Sequence, residues 1–554
     1  MSFCRNTSQQ MNIFDPLHSM RNWEKERLQK SWAEQFSEFV FPFINEDRFK
    51  VIYSDNIASR PNNPINVYFG LLLLKELFNQ SDETVMDSLI FDVRYQYALH
   101  TTSFEKQPIS KHSLTNFRVA ITKYNDEHNV DLIKEEIESL AKCHAKTLNI
   151  NNPMIRMDSL MVSSSCKRLS RLEIIFSCVE RMIQEAKRQG SSLLPERFNV
   201  YLEEGHRNDT IYRSQDKDVE SKLVTITKDA LELYYLIEGT MLAETDDYKL
   251  LSRMVGDQTQ IVNEKRELKP AKEISPTSLQ NPTDPDATYR KKGKTTGVGY
   301  TANVVETFDD KNRMITQYDL QPNVYSDQRF SKDVIEKLGH QETPLYLTID
   351  GAYYSEDLAK LAAEKNIILI PTNLTGRRNN SEKAGYENFD IDEETHTVKA
   401  CPAQQKPISS NFKDGKYIAR FDNTVCNQCP QRENCPVLKQ KKSNLMMVTE
   451  KKINREKVEA SMKKEEYWEI ANKRAGVEGL PSVLRRKYNI DNLPVRGLVR
   501  SKLWLGMKIG AINFKRLVKS LTNDLTNDYF SFILSKNLKL FHFQSSIVIK
   551  VVIL

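Results

Sequence analysis

Between Pro64 and Leu77 the chain carries Val67, Phe69, Leu71, Leu72, Leu73, Leu74 and Leu77, a run too dense in apolar side chains for a surface helix. It predicts a buried one. Ser81-Asp82-Glu83-Thr84 follows, a cap residue with acids in the first turn, and opens a second helix through about Phe91. A third helix begins near Ser110-Lys111-His112-Ser113 and carries Leu114, Phe117 and Val119. Residues 1–145 are therefore expected to form a helical unit.

From about residue 150 the pattern changes to α/β with long interruptions. Met154 to Val162 reads as a buried strand, residues 165–250 as a helical insertion, and 263–296 as a loop rich in Lys, Pro, Thr and Asp. Strands follow at about 298–306 and 313–320, turning at Asp309-Asp310-Lys311-Asn312, and a helix at 326–339 leads to a strand ending at Ile349. A helix at 355–365 and a strand at 367–371 complete that series. Residues 376–445 are a second insertion, with a β-hairpin expected at 408–421, before a basic helical stretch around residue 478. Leu503, Trp504, Leu505, Met507, Ile509 and Phe514 then fall at helical spacing, a core pattern rather than a base-stacking one. Residues 521–554 form an atypical tail whose end, Ile547 to Leu554, is strand-like and nearly uncharged.

Composition narrows the class without naming a function. The 554 residues are 39% hydrophobic and 28% charged, which describes a soluble globular chain of two to four structural units. No run reaches the 18 or so apolar residues of a membrane span, and the start lacks the apolar core of a secretory signal. A net charge of +6 is compatible with a nucleic-acid partner but not diagnostic of one. The eight cysteines are expected to stay reduced in a cytoplasmic protein.

Three carboxylates stand out. Asp158 lies in Met154-Ile155-Arg156-Met157-Asp158-Ser159, Asp350 ends Leu345-Tyr346-Leu347-Thr348-Ile349-Asp350-Gly351, and Glu478 sits in Arg474-Ala475-Gly476-Val477-Glu478. Two acids at or near strand ends and a third on a helix can converge around a pair of Mg²⁺ ions, because hard cations take carboxylate oxygens and two-metal sites serve in-line attack on phosphodiesters. In the second insertion, Cys426-Asn427-Gln428-Cys429 forms a knuckle that Cys435 and Cys401 could complete as a tetrahedral structural Zn²⁺ site. The alternative is four reduced thiols packed as small hydrophobes.

The residues around the acids resemble those of bacterial insertion-sequence DDE transposases. The third-acid segment of that family carries an Arg, a Glu after three residues and a basic residue after six more, which here are Arg474, Glu478 and Arg485. The family's Tyr ahead of the Arg falls at Ala471, and its usual Lys is Arg485. Asp158-Ser159 resembles the first-acid motif and Asp350-Gly351-Ala352-Tyr353 the second; Tyr488 to Leu498 and Ala511 to Leu517 resemble the C-terminal segment. Asp284-Pro285-Asp286-Ala287, followed by Lys291-Lys292-Gly293-Lys294, resembles the stretch before the second core strand.

The resemblance implies an α/β RNase-H-like catalytic core at 150–520, with a helical DNA-binding or dimerisation domain ahead of it and the helical and cysteine-rich insertions within it. It implies that Asp158, Asp350 and Glu478 hold Mg²⁺, with Mn²⁺ able to substitute, and that Arg474, Arg485, Lys291 and Lys292 contact DNA. The partners implied are double-stranded DNA, as terminal inverted repeats and target, and further copies in a homodimer or larger synaptic complex; the location implied is the bacterial nucleoid. Two other readings remain: a catalytically inactive copy that binds element ends, and an RNase-H-like nuclease that hydrolyses without strand transfer.

Overall fold

The computed structural model describes residues 1–7, 16–56, 58–101, 109–151, 154–213, 216–293, 295–374 and 384–522. The strand-like tail at 547–554 lies outside them. By its internal contacts the chain divides into two units. One comprises Met1–Asn152, Ser159–Tyr325 and Leu480–Leu554; the other comprises Pro153–Asp158 and Ser326–Gly479.

In the first unit the dense apolar run is the helix Ile65–Leu77, buried from Ile65 through Leu74. Ser81 accepts a hydrogen bond from the Thr84 amide and so caps Asp82–Phe91, while Ser110 caps Lys111–His128. A helix over 498–522 packs among these elements. Phe514 meets Phe36 edge-on with ring centroids 5.2 Å apart. Cβ atoms at Gly506 and Gly510 would run into Ile133, Ile137 and Leu73, so this helix approaches its neighbours as only glycine allows. Asn513, 2% exposed, grips Ile315 from both sides: its side-chain oxygen accepts from the Ile315 amide at 2.9 Å and its NH₂ donates to the Ile315 carbonyl at 2.8 Å.

The helical insertion has a core of its own. Arg171–Arg188, Asp216–Ile237 and Asp246–Gln258 bury Phe176, Val179, Met182, Leu233, Leu251 and Met254 together. It extends beyond the expected end at 250 and closes with a hairpin, Thr259–Val262 on Lys265–Leu268. The stretch 263–296, expected as loop, therefore contains that hairpin's second strand and the strand Thr288–Lys292, which pairs antiparallel with Thr295–Phe308. The reason is local: Tyr289 and Arg290 are only partly exposed, and the strand completes the edge beside Gly297 and Val298. Thr295–Phe308 continues into an antiparallel pair with Arg313–Pro322, the expected hairpin.

The Asp284-Pro285-Asp286 turn fastens this unit's sheet to the C-terminal segment. Asp284 is fully buried; its carboxylate accepts from the Tyr300 hydroxyl and the Ser164 hydroxyl, both at 2.5 Å, and from the Gly497 amide at 3.0 Å. Asp286 accepts from the Leu498 amide at 2.8 Å. Burial and the neighbouring carboxylate push the Tyr300 phenol far above its ordinary value, so it remains a donor throughout the physiological range.

In the second unit, Met154–Arg156 pairs in parallel with Tyr346–Thr348, and Leu345–Ile349 pairs in parallel with Ile367–Pro371. Met154–Ser163 is one continuous strand, so its first residues belong to this unit and its last to the other. The cysteine-rich insertion forms a separate three-stranded antiparallel sheet of Ser409–Lys413, Lys416–Phe421 and Asn444–Thr449, over a small core of Tyr386, Phe389, Tyr417, Phe421 and Met446. Its last strand runs past the expected boundary at 445. Among the described residues, no helix is long and apolar enough to cross a membrane.

Replacing Asp284 with Ala orphans three donors in a buried position. At about 1–3 kcal/mol for each unsatisfied group, the expected loss is about 3 kcal/mol or more in urea unfolding, with the slope unchanged.

Candidate active site

Asp158 sits in the middle of its strand, fifth of the ten residues Met154–Ser163, a strand the sequence read as Met154 to Val162. The strand continues because Leu160 and Val162 still alternate inward beyond it. Side chains two apart share a face, so Arg156 and Asp158 point the same way. Asp350 lies just past Leu345–Ile349 and starts a short 3-10 turn, its carboxylate accepting from the Gly351 amide at 2.7 Å. The same amide also donates to the Asn373 side-chain oxygen at 2.9 Å.

The strand of Asp158 pairs in parallel with the strand that precedes Asp350, with Arg156 partnered to Thr348 as the last pair of that register.

Glu478 lies in the first turn of the helix Ala475–Tyr488, with its side chain 60% exposed. Arg474 lies in the turn immediately before that helix. From there its guanidinium spans both acids, 2.8 Å from Glu478 Oε1 and 3.3 Å from Asp158 Oδ1. The side chain is 8% exposed. Solvent screens the bond to the exposed Glu478, whereas removing Asp158 would leave a nearly buried guanidinium without its less exposed partner.

Sequence reasoning missed two residues that hold this arrangement. Arg156, 5% exposed, donates from Nη1 to the Lys473 carbonyl at 2.7 Å, tying the Asp158 strand to the turn that carries Arg474. Gly476 lies against that guanidinium, where a Cβ would collide with Arg156 Nη1. The signal was available: a lone cation inside an apolar strand, and a glycine two residues before the third acid. Tyr467 is a further anchor, its hydroxyl donating to the Pro371 carbonyl at 2.7 Å.

The other candidates stand apart from these acids in their contacts. Arg485 is half exposed, donating to the Met161 carbonyl at 3.3 Å and paired with Asp491 at 3.2 Å. Lys291 is exposed on Thr288–Lys292; Lys292 belongs to the same strand, and its side chain lies outside the described residues.

The structure gathers Cys401, Cys426, Cys429 and Cys435 around one cavity of about 20 Å³, as their spacing anticipated, but Gln405, Phe421, Arg432 and Val437 line the same space. Burial pushes the Cys426 thiol above its ordinary value, with Cys435 and Cys401 close by. All eight cysteines are free thiols. Among the described residues, no three His, Cys, Asp or Glu side chains stand close enough to hold a metal ion. The four thiols converge on one cavity as expected, with other side chains sharing it; neither they nor Asp158, Asp350 and Glu478 close into such a set.

Comparison with known proteins gives two matches to protein families. Residues 22–120 match a "Transposase domain (DUF772)" and residues 400–518 a "Transposase DDE domain". Both describe transposase domains, and they support an insertion-sequence DDE transposase. No curated protein matches the chain. Among solved structures, a cryo-EM structure of a piggyBac transposase synaptic complex with hairpin DNA matches at 10% identity, covering 93% of this chain and 77% of that one. Its TM-score is 0.27, too low to carry an argument.

Gly476→Ala should drive Arg156 off the Lys473 carbonyl. Overpacking of this kind costs about 1–3 kcal/mol, read as a lower urea midpoint with the slope retained.

Proposed function

We propose that this transposase binds the ends of an insertion sequence and catalyses divalent-metal-dependent phosphodiester cleavage followed by strand transfer, with Asp158, Asp350 and Glu478 as its metal-holding carboxylates. One observation carries the reading: the nearly buried Arg474 guanidinium joins Asp158 to Glu478, and Asp350 lies just past a strand that pairs in parallel with the first residues of the Asp158 strand. The oxygen donor set suits Mg²⁺ or Mn²⁺, and a cation already bridges two of its members. Two local arrangements, each within one unit, accord with an RNase-H-like core. Thr295–Phe308 pairs antiparallel with Thr288–Lys292 and then with Arg313–Pro322 in one unit; Met154–Arg156, Leu345–Ile349 and Ile367–Pro371 run parallel in the other.

Bound Mg²⁺ would neutralise phosphate charge, lower the pKa of an attacking water and stabilise the leaving oxygen. The chain's own part is to hold three carboxylates around the scissile phosphate and to keep them fixed through Arg156 and the turn before the Glu478 helix. The freed 3′-hydroxyl of the element end is then the nucleophile on target DNA, so no Ser or Tyr nucleophile is required. Arg485 and Lys291, both accessible, suit contacts to backbone phosphates, which position DNA without reading sequence. Joining two ends in concert calls for a dimer or larger assembly on double-stranded DNA.

The alternative of an inactive end-binding copy gains nothing from the geometry, since all three acids are retained. The test is Mg²⁺-dependent cleavage and joining of DNA carrying the flanking element ends. Asp350→Asn should lower both by more than about 100-fold, beyond the loss typical of a group that merely orients a metal ligand, while end binding persists. Binding without cleavage by the unaltered protein would reject the enzymatic reading, and cleavage surviving in Asp350→Asn would reject this site.

A further inference from the structure

The residue that does not fit a simple phosphate-gripping role is Arg474. A phosphate contact needs an accessible guanidinium, yet this side chain is 8% exposed, with Nη1 on Glu478 and Nη2 on Asp158. Its Nε is buried with no hydrogen-bond partner. Planar guanidinium forks match two carboxylates at once in a way that a single ammonium point does not. With Arg474 spanning two of the acids, no three acidic side chains among the described residues close into a metal-holding group.

We propose that Arg474 is an internal counter-ion that stands in the metal position between Asp158 and Glu478, and that a divalent cation loads by displacing it. This rests on the reading of these acids as a metal site. Asp158, Asp350 and Glu478 against the Arg474 and Arg156 guanidinium groups leave one net negative charge, so the closed site still attracts Mg²⁺. The displaced guanidinium leaves its buried position with no carboxylate to satisfy it, and a DNA phosphate is the acceptor the substrate supplies. Metal and DNA therefore assist each other's binding through one side chain, and such coupling is reciprocal. Arg474 is on this account a positioning residue that makes metal loading depend on substrate.

The experiment is Mn²⁺ titration of the full-length protein, followed by the paramagnetic resonance of free Mn²⁺, with and without a short DNA duplex carrying an element end. The decisive variant is Arg474→Lys, which keeps the charge but cannot span both carboxylates; Arg474→Ala serves beside it. In the unaltered protein, duplex should tighten Mn²⁺ binding by about 5-fold or more, the lower range of typical coupling. Both variants should bind Mn²⁺ more tightly than the unaltered protein without DNA and lose most of the gain on adding duplex.

Equal Mn²⁺ affinity in the unaltered protein and Arg474→Lys would overturn the counter-ion role while leaving the metal site standing. So would tightening confined to Arg474→Ala, which simple removal of a positive charge explains. Absence of Mn²⁺ binding in all three proteins would instead overturn the metal-site reading, and this inference with it.

Discussion

The parallel pairing of Met154–Arg156 with Tyr346–Thr348 is the constraint from which the rest of the candidate site follows. It sets the face on which Arg156 and Asp158 lie, and a slip of one residue would turn both to the opposite face. Arg474 supplies the cation between Asp158 and Glu478, and Arg156, two residues before Asp158 on the same face, holds the turn that bears it. Strand register and the charge compensation of these two acids are thus linked.

That solution makes the backbone around Glu478 unusually dependent on small residues. Gly476 leaves room for Arg156, and Gly351 leaves room for Asn373 beside Asp350, where an added Cβ would meet the Asn373 side chain and backbone. Each glycine lies within two residues of an acid. Elsewhere the chain spends buried polar groups on fastening segments distant in sequence, as with Asp284 on Gly497 and Asn513 on Ile315. These bonds give the segments resembling a family's C-terminal motif a physical role: they anchor the final helix and the loop before it to the first unit's sheet.

Much of this was legible in the sequence. Cap residues Ser81 and Ser110, the dense run at Ile65–Leu77, the hairpin at Arg313–Pro322 and the strands at Leu345–Ile349 and Ile367–Pro371 were all readable, because local periodicity and capping determine them. Motif order singled out the three acids, whose shared role is the proposal made above. What periodicity cannot give is long-range pairing. It gave no sign that Arg156 would reach the Lys473 carbonyl, or that Arg474 would sit in the turn before the Glu478 helix. It read 263–296 as loop because the strands there are short and strongly charged. Cysteine spacing pointed to the convergence of the four thiols, but not to Arg432 and Phe421 sharing their cavity.

The central claim, that Asp158, Asp350 and Glu478 surround a divalent cation, is tested most directly by loading the protein with Fe²⁺ and mapping where peroxide-generated hydroxyl radicals cut the backbone. Such radicals act only beside the ion. The account predicts cuts clustered near residues 158, 350 and 474–478, suppressed by excess Mg²⁺. Cuts confined to the cysteine-rich sheet, or scattered and insensitive to Mg²⁺, would contradict it.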